Sequence, residues 1–175
     1  MQTILLVVLI VVALLVLLAV FKAVTYKGSR YSAEVEINAP SSLVFSWMTE
    51  PDKLIQWIGG LVSSEPIGDD TELKVGARSR ETVKEGGRTC VMESEVLEVV
   101  PNEKLVVALE MTQGPVMKST ASYSLFEKDG RTTVHLDQHG AFGGFFMKVL
   151  APFVEGHGRT LVNQNFLRLK EKIEG

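Results

Sequence analysis

Four turn signals divide the middle of this chain, and they leave little room for anything but strands. Glu85-Gly86-Gly87, Pro101-Asn102-Glu103, Gln113-Gly114-Pro115 and Lys128-Asp129-Gly130 each place residues suited to tight bends between apolar, β-branched stretches. Strands are predicted at Leu61–Pro66, 77–84, Arg88–Val100, 104–111, 116–127 and 132–141. A parallel pair needs a crossover of a dozen or more residues, so six strands joined this briefly form an antiparallel meander.

A curved sheet with one apolar face must cover it, and the helical pattern over residues 142–173 is the available lid. Its apolar positions change side. Phe146, Val149, Leu150, Phe153 and His157 share one stripe, whereas Val162, Phe166, Leu169 and Ile173 lie on another roughly half a turn away. The break falls at Gly156-His157-Gly158, one turn after Pro152, and predicts a bend or restart there.

Ahead of the sheet lies an unbroken apolar run that begins at Ile4 and ends at Phe21, about 27 Å long as a helix and just enough to cross a bilayer. A cleavable signal peptide fits it poorly. No Lys or Arg precedes the run, and Phe21-Lys22-Ala23 is a bad cleavage site. Residues 1–22 are therefore expected to form an uncleaved transmembrane anchor and 23–31 a short linker, with the folded domain over 32–175. Lys22, Lys27 and Arg30 flank the run on its C-terminal side and place that domain in the cytoplasm by the positive-inside rule.

Without those three residues the chain keeps 15 basic side chains against 21 acidic ones. An acidic domain lacking a basic stripe is a poor nucleic-acid binder, and no nucleic-acid partner is expected. Cys90 is the single cysteine; it excludes an internal disulfide and, within a strand pattern, reads as a small core filler.

Before the meander, Ala33, Val35 and Ile37 alternate with Glu34 and Glu36 as a half-buried strand. Asn38-Ala39-Pro40 ends it, Ser41 or Ser42 is positioned to cap a helix through Met48, and Pro51-Asp52-Lys53 opens a second short one. Ile37-Asn38-Ala39-Pro40, then Val44-Phe45, then Pro51-Asp52-Lys53-Leu54-Ile55-Gln56-Trp57 resembles the opening of the START-like helix-grip (SRPBCC) superfamily, in its polyketide cyclase/dehydrase and lipid-transport branch. Val75-Gly76, the segment from Glu95-Val96 to Pro101, Gly130-Arg131-Thr132 and the ending Leu169-Lys170-Glu171-Lys172 continue the similarity. The resemblance implies an α+β fold in which a seven-stranded curved antiparallel sheet grips the C-terminal helix around an elongated apolar cavity. It implies no fixed catalytic set and no cofactor, since such families include lipid and sterol carriers, quinone-binding proteins and polyketide cyclases.

Polar constellations have plainer and sharper readings. His135, Asp137 and His139 alternate on one strand opposite Val134 and Leu136, which puts them on the solvent side, too evenly spaced to converge on one metal ion. Arg78 and Arg80 point outward if Ala77 and Ser79 point inward, and Glu81 then points inward too. Glu81 is either a partly solvated strand-end residue or a carboxylate in an apolar pocket, able to bind a ligand hydroxyl or serve as acid or base. Glu93 and Glu95 read as a solvated outer face. His157 is either satisfied by a backbone carbonyl, the plainer reading, or a ligand contact.

These readings converge on a membrane-anchored binder or carrier of a lipid-like or other hydrophobic small molecule. Its cavity would be lined by Trp57, Glu81, Met92, Met117, Tyr123, Leu136, Phe146, Phe153 and His157. An enzyme of the cyclase/dehydrase type using Glu81, Tyr123 or His157 is the rival, and a membrane-recruited interaction module the third reading; cavity polarity separates them.

Overall fold

A computed structural model describes the chain apart from residues 1, 69–70 and 114–115 and the side chains of residues 85, 152–155 and 157. Helix α1 (Gln2–Thr25) precedes strand β1 (Ser29–Ile37), helices α2 (Ser41–Thr49) and α3 (Pro51–Trp57), and strands β2 (Leu61–Pro66), β3 (Arg78–Glu85), β4 (Arg88–Val100), β5 (Lys104–Gln113), β6 (Met117–Lys128) and β7 (Arg131–Phe142); helix α4 (Phe145–Glu174) closes the chain. The strands form one seven-stranded sheet in the order β1-β7-β6-β5-β4-β3-β2, and every neighbouring pair is antiparallel. The meander is thus closed on one side by the first strand beside the last, and the whole is the α+β helix-grip arrangement. The expected Gln113-Gly114-Pro115 connection falls partly outside the described residues.

Alternation sets the two faces. Along β1, Tyr31, Ala33 and Val35 turn inward and Ile37 is fully buried, while Arg30, Ser32, Glu34 and Glu36 are exposed. Ile37, Val44, Leu125, Val134, Leu136, Phe166 and Leu169 form the packed core at one end of the sheet. Thr132, also buried, donates its hydroxyl to the Ala39 carbonyl at 2.7 Å, tying the turn before α2 to β7 and satisfying a polar group that burial would otherwise penalise.

The caps differ from the sequence expectation. Pro40 occupies the cap position of α2 without a side-chain bond, and Ser41 is the first helical residue. Glu127 of β6 takes over the role, accepting from the Ser41 amide and hydroxyl, each at 2.8 Å, a negative charge where the helix dipole favours one. Pro51 opens α3 as expected. The indole of Trp57 is buried and donates to the Trp47 carbonyl at 2.9 Å.

Helix α4 runs unbroken through Gly156 and Gly158, so the expected restart does not occur. The stripe changes side because the helix changes partner. Phe166 and Leu169 enter the core, with Val162 and Ile173 packed against it, whereas Phe145, Phe146 and Leu150 are 48%, 79% and 48% exposed. Helix α4 also meets α1. Ala23 of α1 and Ala151 of α4 are buried, both outside the main core. The linker is shorter than expected as well. Helix α1 continues to Thr25 and β1 starts at Ser29, leaving Tyr26, Lys27 and Gly28 between them.

Candidate functional site at the open end of the concave face

Cross-strand register carries the concave face from the packed core to its open end. Ala33, Leu136, Tyr123 and Leu105 align in one row, and Tyr31, Gln138, Ala121, Val107 and Val96 in the next. Ser29, Gly140, Ser119, Leu109, Ser94 and Ser79 follow, and then Met111, Met92 and Glu81. Leu136 and Ala121 are sealed. Tyr123 beside Leu136, and beyond it Tyr31, Gln138, Leu109, Ser94, Met92, Met111, Met117 and Glu81, face inward yet stay only half-buried, so this end of the concave face is less closed than the core end.

Its polar groups are few and connected. Ser94 donates its hydroxyl to Glu81 Oε1 at 2.9 Å. Burial pushes the Glu81 carboxyl above its ordinary range despite that bond, because loss of hydration penalises the charged form. The Tyr123 phenol is pushed well up, by burial first and then by the nearby Tyr31 and Glu81. Burial likewise raises Tyr31, with Arg159 pulling the other way. Tyr31 lies on β1 and Glu81 on β3, and both bear on Tyr123 of β6, which stands between them in the strand order.

The expected lining residues separate accordingly. Glu81, Met92, Met117 and Tyr123 lie on the half-open concave face. Trp57 and Leu136 do not line it. Both belong to the tightly packed core at 4% and 1% exposure, where nothing larger than their own neighbours fits. Phe146 does not line it either, because its ring is on the surface, set edge-on to Phe145 with centroids 5.9 Å apart. The side chains of Phe153 and His157 lie outside the described residues. Tyr31, Ser94 and Gln138 were missed. The odd-number alternation Tyr31, Ala33, Val35, Ile37 was the signal for the first, hidden because residue 31 was assigned to the linker.

The convex face is ionic. Arg78 and Arg80 both reach Glu93, at 2.6 and 3.3 Å, as their expected outward register requires. Arg30 clasps Asp137 through Nε at 3.1 Å, His135 lies 3.6 Å from Glu34, and among the described residues no three side chains gather as metal ligands. A hollow of about 570 Å³ is lined by outward residues such as Arg30, His139, Thr120, Glu95 and Arg78 and also by Ser94, Leu109 and Ser119, and contains no residue of α4.

The family model described as polyketide cyclase / dehydrase and lipid transport matches residues 29–174. The chain belongs to that family. Solved structures share its fold at low identity. A conserved protein from Geobacillus kaustophilus has a TM-score of 0.70 at 19% identity over 83% of this chain and 95% of its own. A protein from Chromobacterium violaceum gives 0.64 at 15% over 83% and 97%. DynU16, from the dynemicin biosynthetic locus, gives 0.57 at 21% over 83% of this chain and 47% of its own. No curated protein sequence matches the chain.

Proposed function

We propose that this protein is a membrane-anchored binder or carrier of a hydrophobic small molecule, held on the concave face beneath the first half of α4. One observation carries the reading: a single face of the sheet is sealed at one end and half-open at the other, with methionines, tyrosines and one carboxylate inward. Apolar walls with few polar groups suit a lipid-like guest. Family membership supports a hydrophobic ligand more than any one reaction.

Helix α1 is long and apolar enough to cross a membrane, and apart from Ala23 it buries none of its apolar residues in the domain. As the anchor, with Lys22, Lys27 and Arg30 on the cytoplasmic side, it brings the exposed Phe145 and Phe146 of α4 to the bilayer surface. Those rings then form the gate through which ligand passes from lipid to groove. Mass spectrometry of small molecules extracted from the purified full chain tests the reading: a bound lipid or quinone-like compound is expected, and a protein empty after gentle purification that also takes up no apolar probe overturns it.

A second reading, acid–base catalysis, is favoured by the raised Glu81 carboxyl on the same inward face as the Tyr123 phenol. It requires turnover of a cyclisable substrate that is lost in E81Q.

A further inference from the structure

The concave face carries a pronounced charge asymmetry. Along the rows from Leu136 to Glu81, Glu81 is the only charged side chain that the register places inward among the described residues of the sheet; Arg88 shares its parity but lies beyond Met92 at the β3–β4 turn and is exposed. Its neighbours there are the uncharged Ser94, Met92, Ser119, Gln138 and Tyr123. Every arginine and lysine of β3 to β6 that bears an ion pair spends it on the convex face or the sheet margin, as Arg78, Arg80, Lys104 and Lys118 do. Arg159 of α4 is exposed and donates to the Arg30 carbonyl at 3.3 Å, at the β1 edge of the groove rather than beside Glu81 on β3.

A carboxylate with no cation beside it on the described sheet rows repels an anionic head and leaves a free acceptor for a donor. Ser94 occupies Oε1 of Glu81, so Oε2 keeps its lone pairs for a guest. From this geometry, and resting on the ligand-binding reading above, we infer that the groove selects apolar molecules whose polar end donates a hydrogen bond, such as long-chain alcohols, phenols or quinols. It rejects fatty-acid anions of the same length. The gain comes from pairing a buried acceptor that would otherwise stay unmet, and the rejection from placing two negative charges together in a poorly solvated space.

The test compares decanol with decanoate at pH 8 on the full chain in nanodiscs of neutral lipid, by calorimetric titration against empty nanodiscs. Decanol is expected to bind about tenfold or more tighter than decanoate, the scale of discrimination that a site built around one hydrogen bond supplies. In E81Q the gap should close from both sides, with weaker decanol and stronger decanoate binding. Equal binding of the two by the wild type, or a gap that E81Q leaves untouched, overturns the inference while keeping a hydrophobic ligand site. Binding of neither compound overturns the ligand-binding reading itself. Should E81Q fail to fold, the wild-type order of decylamine, decanol and decanoate decides instead: decanoate must come last, and any other place for it overturns the inference.

Discussion

Across the β3–β4 pair, the Ser94 hydroxyl donates to Glu81 Oε1 at 2.9 Å, and the two side chains make a polar pair on the concave face. Burial raises the Glu81 carboxyl above its ordinary 4.5 in the folded chain, so the folded state holds that proton more tightly than the unfolded one. Stability is therefore lost as pH rises from about 4.5 through the raised value. The E81Q variant cannot ionise and escapes this loss. It should melt higher than wild type at pH 8, with the difference shrinking by pH 4; wild type melting higher at pH 8 would mean that a cation stabilises the carboxylate.

Leu169 is fully buried and Leu167, two residues earlier on the same helix, is 59% exposed. Leu169→Ala should cost about 2–5 kcal/mol through lost burial and a residual cavity. Leu167→Ala should stay within about 0.5 kcal/mol of wild type. Urea melts of both variants check which stripe of α4 the core takes.

The change of side along α4 was legible in the sequence, but its cause was not. Phase analysis locates Gly156-His157-Gly158 as the place where the apolar stripe switches, and a bend was the economical explanation for a helix with one partner. The structure gives the helix two surroundings. Its second half sits in the core, while Phe145, Phe146 and Leu150 of its first half face solvent, so an unbroken helix accommodates both stripes. The strands were easier, because turn residues and alternation are local signals; β2 and β4 were predicted with the bounds they have. The site was harder. Tyr123 and Glu81 lie on strands that are not neighbours, and which residues share the concave face depends on the cross-strand register, a property no local pattern encodes.

A Cβ at Gly156 or Gly158 would meet nothing within 4 Å. Replacing both with alanine should stabilise the chain by about 1–2 kcal/mol through helix propensity alone. If α4 must flex for ligand entry, the same variant takes up a fluorescent lipid more slowly; unchanged uptake would show that opening does not involve this turn.

Phe145 and Phe146 are exposed, so turning both into aspartate should leave the melting temperature nearly unaltered. Repelled from the bilayer surface, the double variant should load ligand from its own membrane several-fold more slowly, as followed by fluorescent-lipid quenching. A large drop in stability would instead assign the rings to packing against α1, and normal loading in a stable variant would remove the gate.

Orientation is open to cysteine labelling. Lys128 lies exposed at the β6–β7 turn, and in a Cys90→Ser background Lys128→Cys should resist a membrane-impermeant maleimide in intact cells and react after lysis. Labelling of intact cells would put the domain on the other side.

Only Tyr26, Lys27 and Gly28 join α1 to β1, and Gly28 adopts φ +98° where a Cβ would lie 2.6 Å from the Gly140 carbonyl oxygen. A joint this short, pressed against the sheet, has no slack. With α1 in a bilayer, the domain cannot swing out to a distant membrane as a leashed shuttle would. It turns and drifts with its anchor in two dimensions. On the proposed reading of an anchored binder, the cargo would then do the travelling and the protein would act as a fixed station.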